Sequence, residues 1–449
     1  MSETATTQPT ILPSWRPTAA HFRATLLGVV GAVVAVAMNR PDLLVLVTPW
    51  LVVTTWAWLR RPRERVTVAS ALGNHTLREG EATVLRATVT VPDGVDDVVV
   101  AVSPAVFMDQ DPPLGIRVIG RGDGRPTVAD PLTRRARASV VLRSTRWGAR
   151  PVGPVKCGAW STWGAYRSGP VDSETQRLVT LPLPAVFRPT VAMPHPEGLV
   201  GAYRSARSGG GSEFDRLRPF QVGDRLRRIH WPVSLRTGTL HVTSTYGDED
   251  SQVVLVVDGT SDLGPREGLD GRPTSLDLTV RAAGAMAEHH LGVGDRVGLR
   301  IVGAARLAGV PVGSGRAHLR RVLGTLALIE PATYRNDDGE YAIAGIGAGA
   351  VVIVLSPLVD PAMVDVVARL GSRGLTTVVV DTMPEHLWRG ENDPYTALAW
   401  RLRRLSRSVD VHRLTSAGIP VVPWRGPQSL DHVLRELARR ARVPRMARR

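Results

Sequence analysis

The run EFDRLRPFQVGDRLRRIHW, residues 213–231, separates two parts of the chain with different sequence patterns. Before it, the chain is first apolar and then alternates in the manner of β-strands. After it, short apolar runs alternate with amphipathic stretches of helical length. The run itself places acids and aromatic residues at intervals among arginines, so it differs from a simple basic tail. We interpret it as the junction between two architectures.

A chain of 449 residues suggests two or three domains. Its formal net charge is +15, and Lys156 is the only lysine among 56 basic residues. Positive charge favours anionic partners such as membrane lipid. The clusters Arg60–Arg65 and Arg435–Arg449 carry almost no interleaved aromatics, which disfavours nucleic-acid binding through base stacking. Cys157 is the only cysteine, so an intramolecular disulfide is excluded.

The N-terminal region has the pattern of a membrane anchor. Residues 1–20 are rich in Thr and Pro and are predicted to be disordered. Two apolar runs, Ala24–Met38 and Leu43–Leu59, predict a transmembrane helical hairpin within residues 21–60. The alternative is a cleaved signal peptide with its cleavage site at Ala35–Ala37. Arginines are concentrated after the second run, so the positive-inside rule predicts a multi-pass protein of the cell membrane with cytoplasmic soluble domains.

Residues 66–185 show short alternating segments with turn signals between them, for example at Ala82–Val91 and Ala138–Arg143. Several strands at a spacing of about ten residues predict an all-β, sandwich-like domain. Residues 186–250 are predicted to be a linker followed by the opening motif, with Gly209–Gly211 as a flexible hinge.

Residues 251–449 predict an α/β, doubly wound domain that ends in a basic helix. Its first strand, Val253–Val257, is a continuous apolar run, as expected of a strand buried on both faces. The remaining elements are predicted as follows: strands at Arg296–Val302, Val351–Leu355, Thr376–Val380 and Ile419–Pro423, and helices at Ser275–Leu291, Arg316–Ile329, Pro361–Ser372, Tyr395–Ser406 and Ser429–Arg442.

Asp258, Thr260 and Asp262 follow the first strand of this predicted sheet. Open α/β sheets bind ligands at the carboxyl ends of their strands, and carboxylate and hydroxyl oxygens suit Mg²⁺. These three residues are therefore a candidate, although degenerate, metal site. The alternative is an acidic strand–helix loop whose side chains bond backbone N–H groups. Otherwise we expect no cofactor.

The opening motif has three interpretations. Glu213, Asp224 and His230 offer acids and a base for an enzyme, but their spacing matches no known catalytic pair. The arginines offer an anion-binding patch. As a structural clamp, the acids would pair with arginines such as Arg228 while Trp231 and the phenylalanines pack beneath them. The regular mixture of charges and aromatics favours the clamp.

Several positions of this motif resemble the signature of the family called domain of unknown function 58. That signature commonly has Glu-Phe-x-x-Leu-Arg-x-Tyr-x-x-Gly-Asp, then Arg-x-Ile-Asp-Trp, then a small residue near an Arg. The matching positions, which we single out as structural or interaction residues, are Glu213, Phe214, Arg218, Gly223, Asp224, Arg228, Ile229, His230, Trp231 and Arg236. His230 stands where Asp is usual, and Phe220 where Tyr is usual.

The resemblance implies a bacterial membrane protein with two N-terminal helices, a β-rich domain and a von Willebrand factor type A-like domain. It also implies a partnership with a MoxR-type AAA+ ATPase and with a transglutaminase-like membrane protein. A metal-ion-dependent adhesion site would read Asp-x-Ser-x-Ser, whereas this chain has Asp258, Thr260 and Asp262 at those positions.

The sequence favours a membrane-anchored, non-enzymatic adaptor or assembly protein with chaperone-like work beside an ATPase. The first alternative is a metal-dependent hydrolase that uses the Asp258 loop. The second is a nucleic-acid binder that acts through Arg435–Arg449.

Overall fold

The computed structural model describes residues 8–113, 115–120, 135–183, 208–221, 229–246, 252–303, 309–332, 336–347, 350–388, 394–426, 429, 431–433 and 435. Contacts divide the chain into two compact units. The N-terminal unit comprises Met1–Leu181 with Gly268–Asp270, and the C-terminal unit comprises Pro182–Glu267 with Gly271–Arg449.

Two apolar helices occupy the positions of the predicted hairpin, α1 at Ala19–Ala37 and α2 at Asp42–Leu59. Both are long and apolar enough to cross a membrane. They pack through small residues, because a side chain at Gly31 would place its Cβ 2.7 Å from Val47 Cγ2. Most of their large apolar side chains are exposed, including Val36 and Val45, each at 73%.

The segment before α1 differs from the predicted disorder. Strands β1 (Thr10–Ile11) and β2 (Arg16–Pro17) lie within residues 8–20. Leu12 is fully buried and Trp15 is 5% exposed. Composition predicted disorder because the segment is polar on average, but these two large apolar side chains are enough to attach it to the core. Residues 1–7 lie outside the described residues.

The N-terminal unit continues with eleven strands among the described residues. They are β3 (Thr67–Leu72), β4 (Thr76–Arg78), β5 (Ala82–Thr90), β6 (Val95–Val102), β7 (Met108–Asp111), β8 (Ile116–Gly120), β9 (Arg135–Ser144), β10 (Gly148–Val152), β11 (Val155–Ser161), β12 (Tyr166–Asp172) and β13 (Gln176–Leu181).

These strands form two five-stranded sheets, β1-β3-β5-β9-β7 and β2-β12-β11-β6-β8, and a three-stranded sheet, β10-β13-β4. In β9, buried and exposed residues alternate along all ten positions, which is the period of a strand with one face in a core. Side chains from both large sheets, such as Val140 and Val100, belong to one buried cluster with Leu12 and Trp15. The two sheets therefore share a single hydrophobic core.

The C-terminal unit contains the following described elements: β14 (Ser208–Pro219), α3 (Trp231–Thr237), β15 (His241–Tyr246), β16 (Gln252–Asp258), α4 (Ser275–Gly292), β17 (Arg296–Val302), β18 (Val310–Gly313), α5 (Arg316–Leu326), α6 (Asn336–Ile343), β19 (Val351–Ser356), α7 (Pro361–Ser372), β20 (Thr376–Asp381), α8 (Pro394–Ser416) and β21 (Val421–Pro423). Strands β14 and β15 form an antiparallel pair. Gly209–Gly211, predicted to be a hinge, belong to β14.

The remaining strands form one sheet in the order β18-β17-β16-β19-β20-β21. All pairs are parallel except β17 with β18. Val254 and Val256 of β16 pack in a cluster with residues of α6, α7 and α8, and α4 contacts the same strands outside that cluster. Helices thus cover both faces, which explains why β16 is apolar at consecutive positions.

Local capping signals set two of the helix starts. Thr274 and Asp277 form a reciprocal capping box at the start of α4, with both hydrogen bonds at 3.1 Å. Asp360 accepts a hydrogen bond from the Ala362 backbone N–H at the start of α7, where Pro361 fits the first turn. These residue types fix where the polypeptide enters each helix, and therefore where the preceding loop must end.

Candidate functional site

The carboxyl ends of β16 and β19 lie side by side in the centre of the sheet. After β16 the chain first adds β17 on one side and later adds β19 on the other. This reversal makes the gap between β16 and β19 the topological switch point, where α/β sheets of this kind bind ligands. Asp258 ends β16 and Ser356 ends β19, so both stand at that point.

Asp258 is 1% exposed, and both of its carboxylate oxygens accept hydrogen bonds. Oδ1 accepts from the Thr260 backbone N–H at 2.9 Å and from Thr260 Oγ1 at 2.6 Å. Oδ2 accepts from Ser356 Oγ at 2.5 Å. The carboxylate therefore joins its own loop to the end of the neighbouring strand. A buried acid without such donors would be strongly destabilising.

The electrostatics of Asp258 combine opposing effects. Burial raises the pKa of the Asp258 carboxyl, and the hydrogen bonds from Ser356 and Thr260 lower the same pKa. The charge of Asp360 raises the Asp258 pKa further. Burial is the largest of these effects, so ionisation of Asp258 is harder in the folded chain than in an exposed aspartate.

Hydroxyl groups continue this polar layer beyond Asp258. Ser356 Oγ also accepts a hydrogen bond from the Leu358 backbone N–H at 2.9 Å. The Thr382 backbone N–H donates to the Ser356 carbonyl at 3.2 Å, and the hydroxyls of Thr382 and Thr279 lie 2.6 Å apart. Ser356 directly follows the predicted strand Val351–Leu355, whereas the sequence gives no reason to select the two threonines. Their only signal was position, after β20 and in the first turns of α4.

Asp262 has a partner different from that of Asp258. Its Oδ2 accepts from Arg266 Nε at 2.8 Å, and the side chain of Asp262 is 4% exposed. A divalent cation would meet one carboxylate that already accepts three hydrogen bonds and another that faces a guanidinium. Protein donors thus engage both carboxylates, and Mg²⁺ binding by Asp258, Thr260 and Asp262 stays a prediction. No cluster of three His, Cys, Asp or Glu side chains suited to a metal occurs in the described part of the chain.

Arginines of α8 bind the loops that follow β19 and β20. Arg407 Nη2 lies 2.5 Å from Asp381 Oδ1, and Arg407 Nε donates to the Pro357 carbonyl at 2.7 Å. Arg403 donates to the Val359 carbonyl. Arg407 and Asp381 are 14% and 18% exposed. Asp381, which directly follows the predicted strand Thr376–Val380, is thus neutralised by an arginine that also fixes the neighbouring loop.

The second half of the opening motif contacts β15 mainly through its backbone. Ile229 forms a bridge with Val242, and the His230 backbone N–H donates to the His241 carbonyl at 2.8 Å. Ser234 is buried; its Oγ donates to the His230 carbonyl and accepts from the His241 backbone N–H, both at 2.9 Å. This small residue holds α3 against β15.

One part of the predicted clamp differs in the structure. Trp231 is 58% exposed and Arg236 is exposed, so Trp231 does not pack beneath the motif as expected. Glu213, Phe214 and Arg218 lie in β14, with side chains outside the described part of the structure. Gly223, Asp224 and Arg228 lie outside the described residues altogether. The ion pairs of the clamp stay a prediction.

Other side chains that could take part in acid–base or nucleophilic chemistry are buried or hydrogen-bonded within the fold. His290 Nδ1 lies 2.8 Å from Asp295 Oδ2, and burial is the main cause of the lowered pKa of His289. Burial raises the pKa of the Cys157 thiol to about 12, which leaves it unreactive at neutral pH. Ser161 Oγ accepts a hydrogen bond from the Tyr166 backbone N–H. These groups support the fold.

A family model described as "Protein of unknown function DUF58" matches residues 216–393. The match begins inside the opening motif and covers most of the six-stranded sheet. Relatives include uncharacterized proteins of Mycobacterium bovis and of two strains of Mycobacterium tuberculosis, each 35% identical over 131 residues. The aligned part is 29% of this chain and 40% of each relative, so the chain spans less than half the length of the curated relatives it matches.

Proposed function

We propose that this protein is a membrane-anchored, non-enzymatic adaptor that works by protein–protein interaction beside a MoxR-type AAA+ ATPase. A sandwich-like β domain and a von Willebrand factor type A-like domain would present its interaction surfaces in the cytoplasm. A transglutaminase-like membrane protein is a second proposed partner. Both partners come from the family resemblance.

The observation that carries the proposal is the internal use of Asp258. The switch point of an α/β sheet is the place where a catalytic or metal-binding acid would be expected. Here the acid accepts hydrogen bonds from Thr260 and Ser356, and thereby fixes the ends of two adjacent strands. Arg407 likewise pairs with the carboxylate of Asp381 and so fixes the end of β20. These contacts make this edge of the sheet rigid, and a rigid edge suits an interaction surface.

The N-terminal segment supports the membrane part of the proposal. Residues before α1 pair with β3 and β12, which follow α2 in the chain. Since β1 and β2 must lie on the same side of a membrane as their partner strands, the intervening chain has to cross an even number of times. The helices α1 and α2 supply two crossings. A cleaved signal peptide would remove both strands together with buried Leu12 and Trp15.

The test is reconstitution with a MoxR-type ATPase from the same organism. The full chain in nanodiscs should bind the ATPase in a nucleotide-dependent manner, measured by co-sedimentation and by the ATP hydrolysis rate. Asp258→Ala should weaken binding only as far as it loosens the sheet. Asp365→Ala, an exposed acid on α7, is the matched control.

The contrary result is catalysis by the chain itself. Turnover of an ester, phosphoester or peptide substrate that requires Mg²⁺ and disappears in Asp258→Ala would overturn the adaptor proposal. Stoichiometric Mg²⁺ binding in calorimetry that depends on Asp258 would point the same way.

A further inference from the structure

Helix α8 exposes five large apolar side chains along one line. Tyr395 is 83% exposed, Leu398 55%, Leu402 60%, Leu405 64% and Val409 57%. We call these five residues the outer stripe. Exposed apolar residues are ordinary when scattered singly, but a continuous row of them marks an interaction site.

The spacing of the outer stripe is that of a coiled-coil seam. Successive members are separated by three, four, three and four positions, as at the a and d positions of a heptad repeat. At about 100° per residue they fall within a wedge of about 80°, and they extend along about 21 Å of helix. The opposite side of α8 carries Arg403, Arg407 and buried Leu414, which contact the rest of the C-terminal unit. The helix thus has one inward side and one separate outward seam.

The charges beside the stripe are positive. Arg401 is exposed at a flanking g position, and the Arg413 side chain, at a flanking e position near the C-terminal end of the stripe, is 69% exposed. The single acid of α8, Asp410, lies 3.3 Å from Arg413 Nη1. A second copy of α8 would bring like charges together, which disfavours self-association. An acidic partner would gain from the same charges.

The width of the stripe distinguishes between two acidic partners, an anionic lipid surface and a single acidic helix. Helices that lie on anionic lipid bury a broad apolar face, with basic residues along its borders. A strict a/d seam is narrower and suits one other helix. We propose that the outer stripe is a docking surface for an acidic amphipathic helix of a partner protein. This inference rests on the adaptor function proposed above and names the chemistry of the partner.

The docked helix would place apolar residues at its own a and d positions against the stripe. Glu or Asp residues at its flanking positions would lie opposite Arg401 and Arg413. Such flanking pairs set partner choice and orientation more than affinity, so the apolar seam would provide most of the binding free energy.

The probe is a fluorescent synthetic helix of about four heptads, with leucine at a and d and glutamate at e and g. Its binding to the full chain in nanodiscs is followed by fluorescence anisotropy. Leu402→Asp with Leu405→Asp should raise the dissociation constant at least about 30-fold, because two buried apolar contacts become charged. Ala368→Asp with Ser372→Asp adds the same charge at exposed positions of α7, away from the seam, and should change it less than about fivefold.

A charge exchange separates specific docking from misfolding. Arg401→Glu with Arg413→Glu should weaken binding of the glutamate probe and strengthen binding of a lysine-substituted probe of the same design. A misfolded helix would lose both. Failure of the wild-type chain to bind the glutamate probe, or equal effects of the seam and off-seam variants, would overturn the proposal.

Two other occupants have their own signatures, and either would overturn the proposal. A wild-type dimer in detergent that Leu402→Asp with Leu405→Asp converts to a monomer would identify a second copy. A fluorophore on Val409→Cys that is quenched by spin-labelled lipid before any probe is added would identify the membrane. If the wild-type chain fails to bind the glutamate probe but still binds the ATPase, the stripe proposal fails while the adaptor proposal stands.

Discussion

Asp258 is the residue on which the edge of the α/β sheet depends. Asp258→Ala leaves Ser356 Oγ and the Thr260 donors without their buried acceptor. Unsatisfied buried groups cost about 1–3 kcal/mol, so local opening of β16 and β19 should become about 5- to 150-fold more frequent. Hydrogen exchange of peptides covering Gln252–Asp258 and Val351–Ser356 measures this.

Asp365→Ala provides the baseline for that measurement, because Asp365 is exposed on α7 of the same unit. It should leave exchange in both strands within about twofold of the wild type, since exposed substitutions rarely matter by more than about 0.5 kcal/mol. Equal exchange in Asp258→Ala and the wild type would mean that these hydrogen bonds contribute nothing to the sheet.

The pH dependence of the same strands follows from the raised pKa of Asp258. A carboxyl with a higher pKa in the folded state than in the unfolded state adds most stability below its unfolded pKa of about 3.9. That contribution is lost as pH rises through the folded pKa. The opening free energy of the wild type, minus that of Asp258→Asn, should therefore fall as the pH rises above about 4.

Hydrogen exchange corrected for intrinsic rates at each pH gives this difference directly, and Asp258→Asn is the reference because an amide does not titrate. Asp365→Asn against the wild type should show no such trend across the range. A difference for Asp258 that grows with pH would show that its hydrogen bonds outweigh its burial.

Individual residues show which contacts of the site could be predicted from the sequence. The contact between Asp258 and Thr260 is local, so the spacing of hydroxyl and acid could suggest it. The partner Ser356 lies 98 positions away, and its selection depends on β19 pairing with β16. Asp262 was grouped with Asp258 by analogy of spacing, but it faces Arg266, four positions further along the same loop. Sequence located the polar strand end without indicating which groups would meet there.

Among the elements, the short strands before α1 are expected to contribute to the stability of the N-terminal unit. Leu12 is fully buried beside β12, whereas the adjacent Ile11 is 56% exposed. Leu12→Ala should cost about 2–5 kcal/mol through lost burial and the cavity left behind. Cys157 lies in the same core, so its thiol reports opening of the N-terminal unit. Its labelling by a small maleimide should accelerate at least about 30-fold.

Ile11→Ala removes a side chain from the next position on the outside and should change Cys157 labelling less than about threefold. Similar rates for the two variants would mean that the segment before α1 does not contribute to the core.

Regular elements followed the sequence closely where their signals were local. The structure confirms the apolar helix pair and several β-sheets, and the strand at Arg296–Val302 and the helix at Pro361–Ser372 have their predicted bounds. The edge strand β18 was missed because Val310–Gly313 is short and contains proline. Helix α8 extends ten residues beyond its predicted end at Ser406. The residues after Ser406 are mostly polar, so the sequence did not show that one helix carries both the outer stripe and an inner side.

For the whole molecule, the proposed crossing of a membrane by α1 and α2, combined with the pairing of β1 and β2 with strands after α2, predicts that Gln8 and the β sheets lie on one side and the α1–α2 loop on the other. Because Cys157 is buried, maleimide labelling of a variant reports the accessibility of its single introduced cysteine. With a membrane-impermeant maleimide, Met38→Cys should be labelled in intact cells, whereas Gln8→Cys and exposed Asp365→Cys should be labelled only after permeabilisation. The wild type should stay unlabelled in both conditions. Labelling of Gln8→Cys and Asp365→Cys in intact cells would place the soluble units outside, and labelling of Met38→Cys only after permeabilisation would show that the hairpin does not cross.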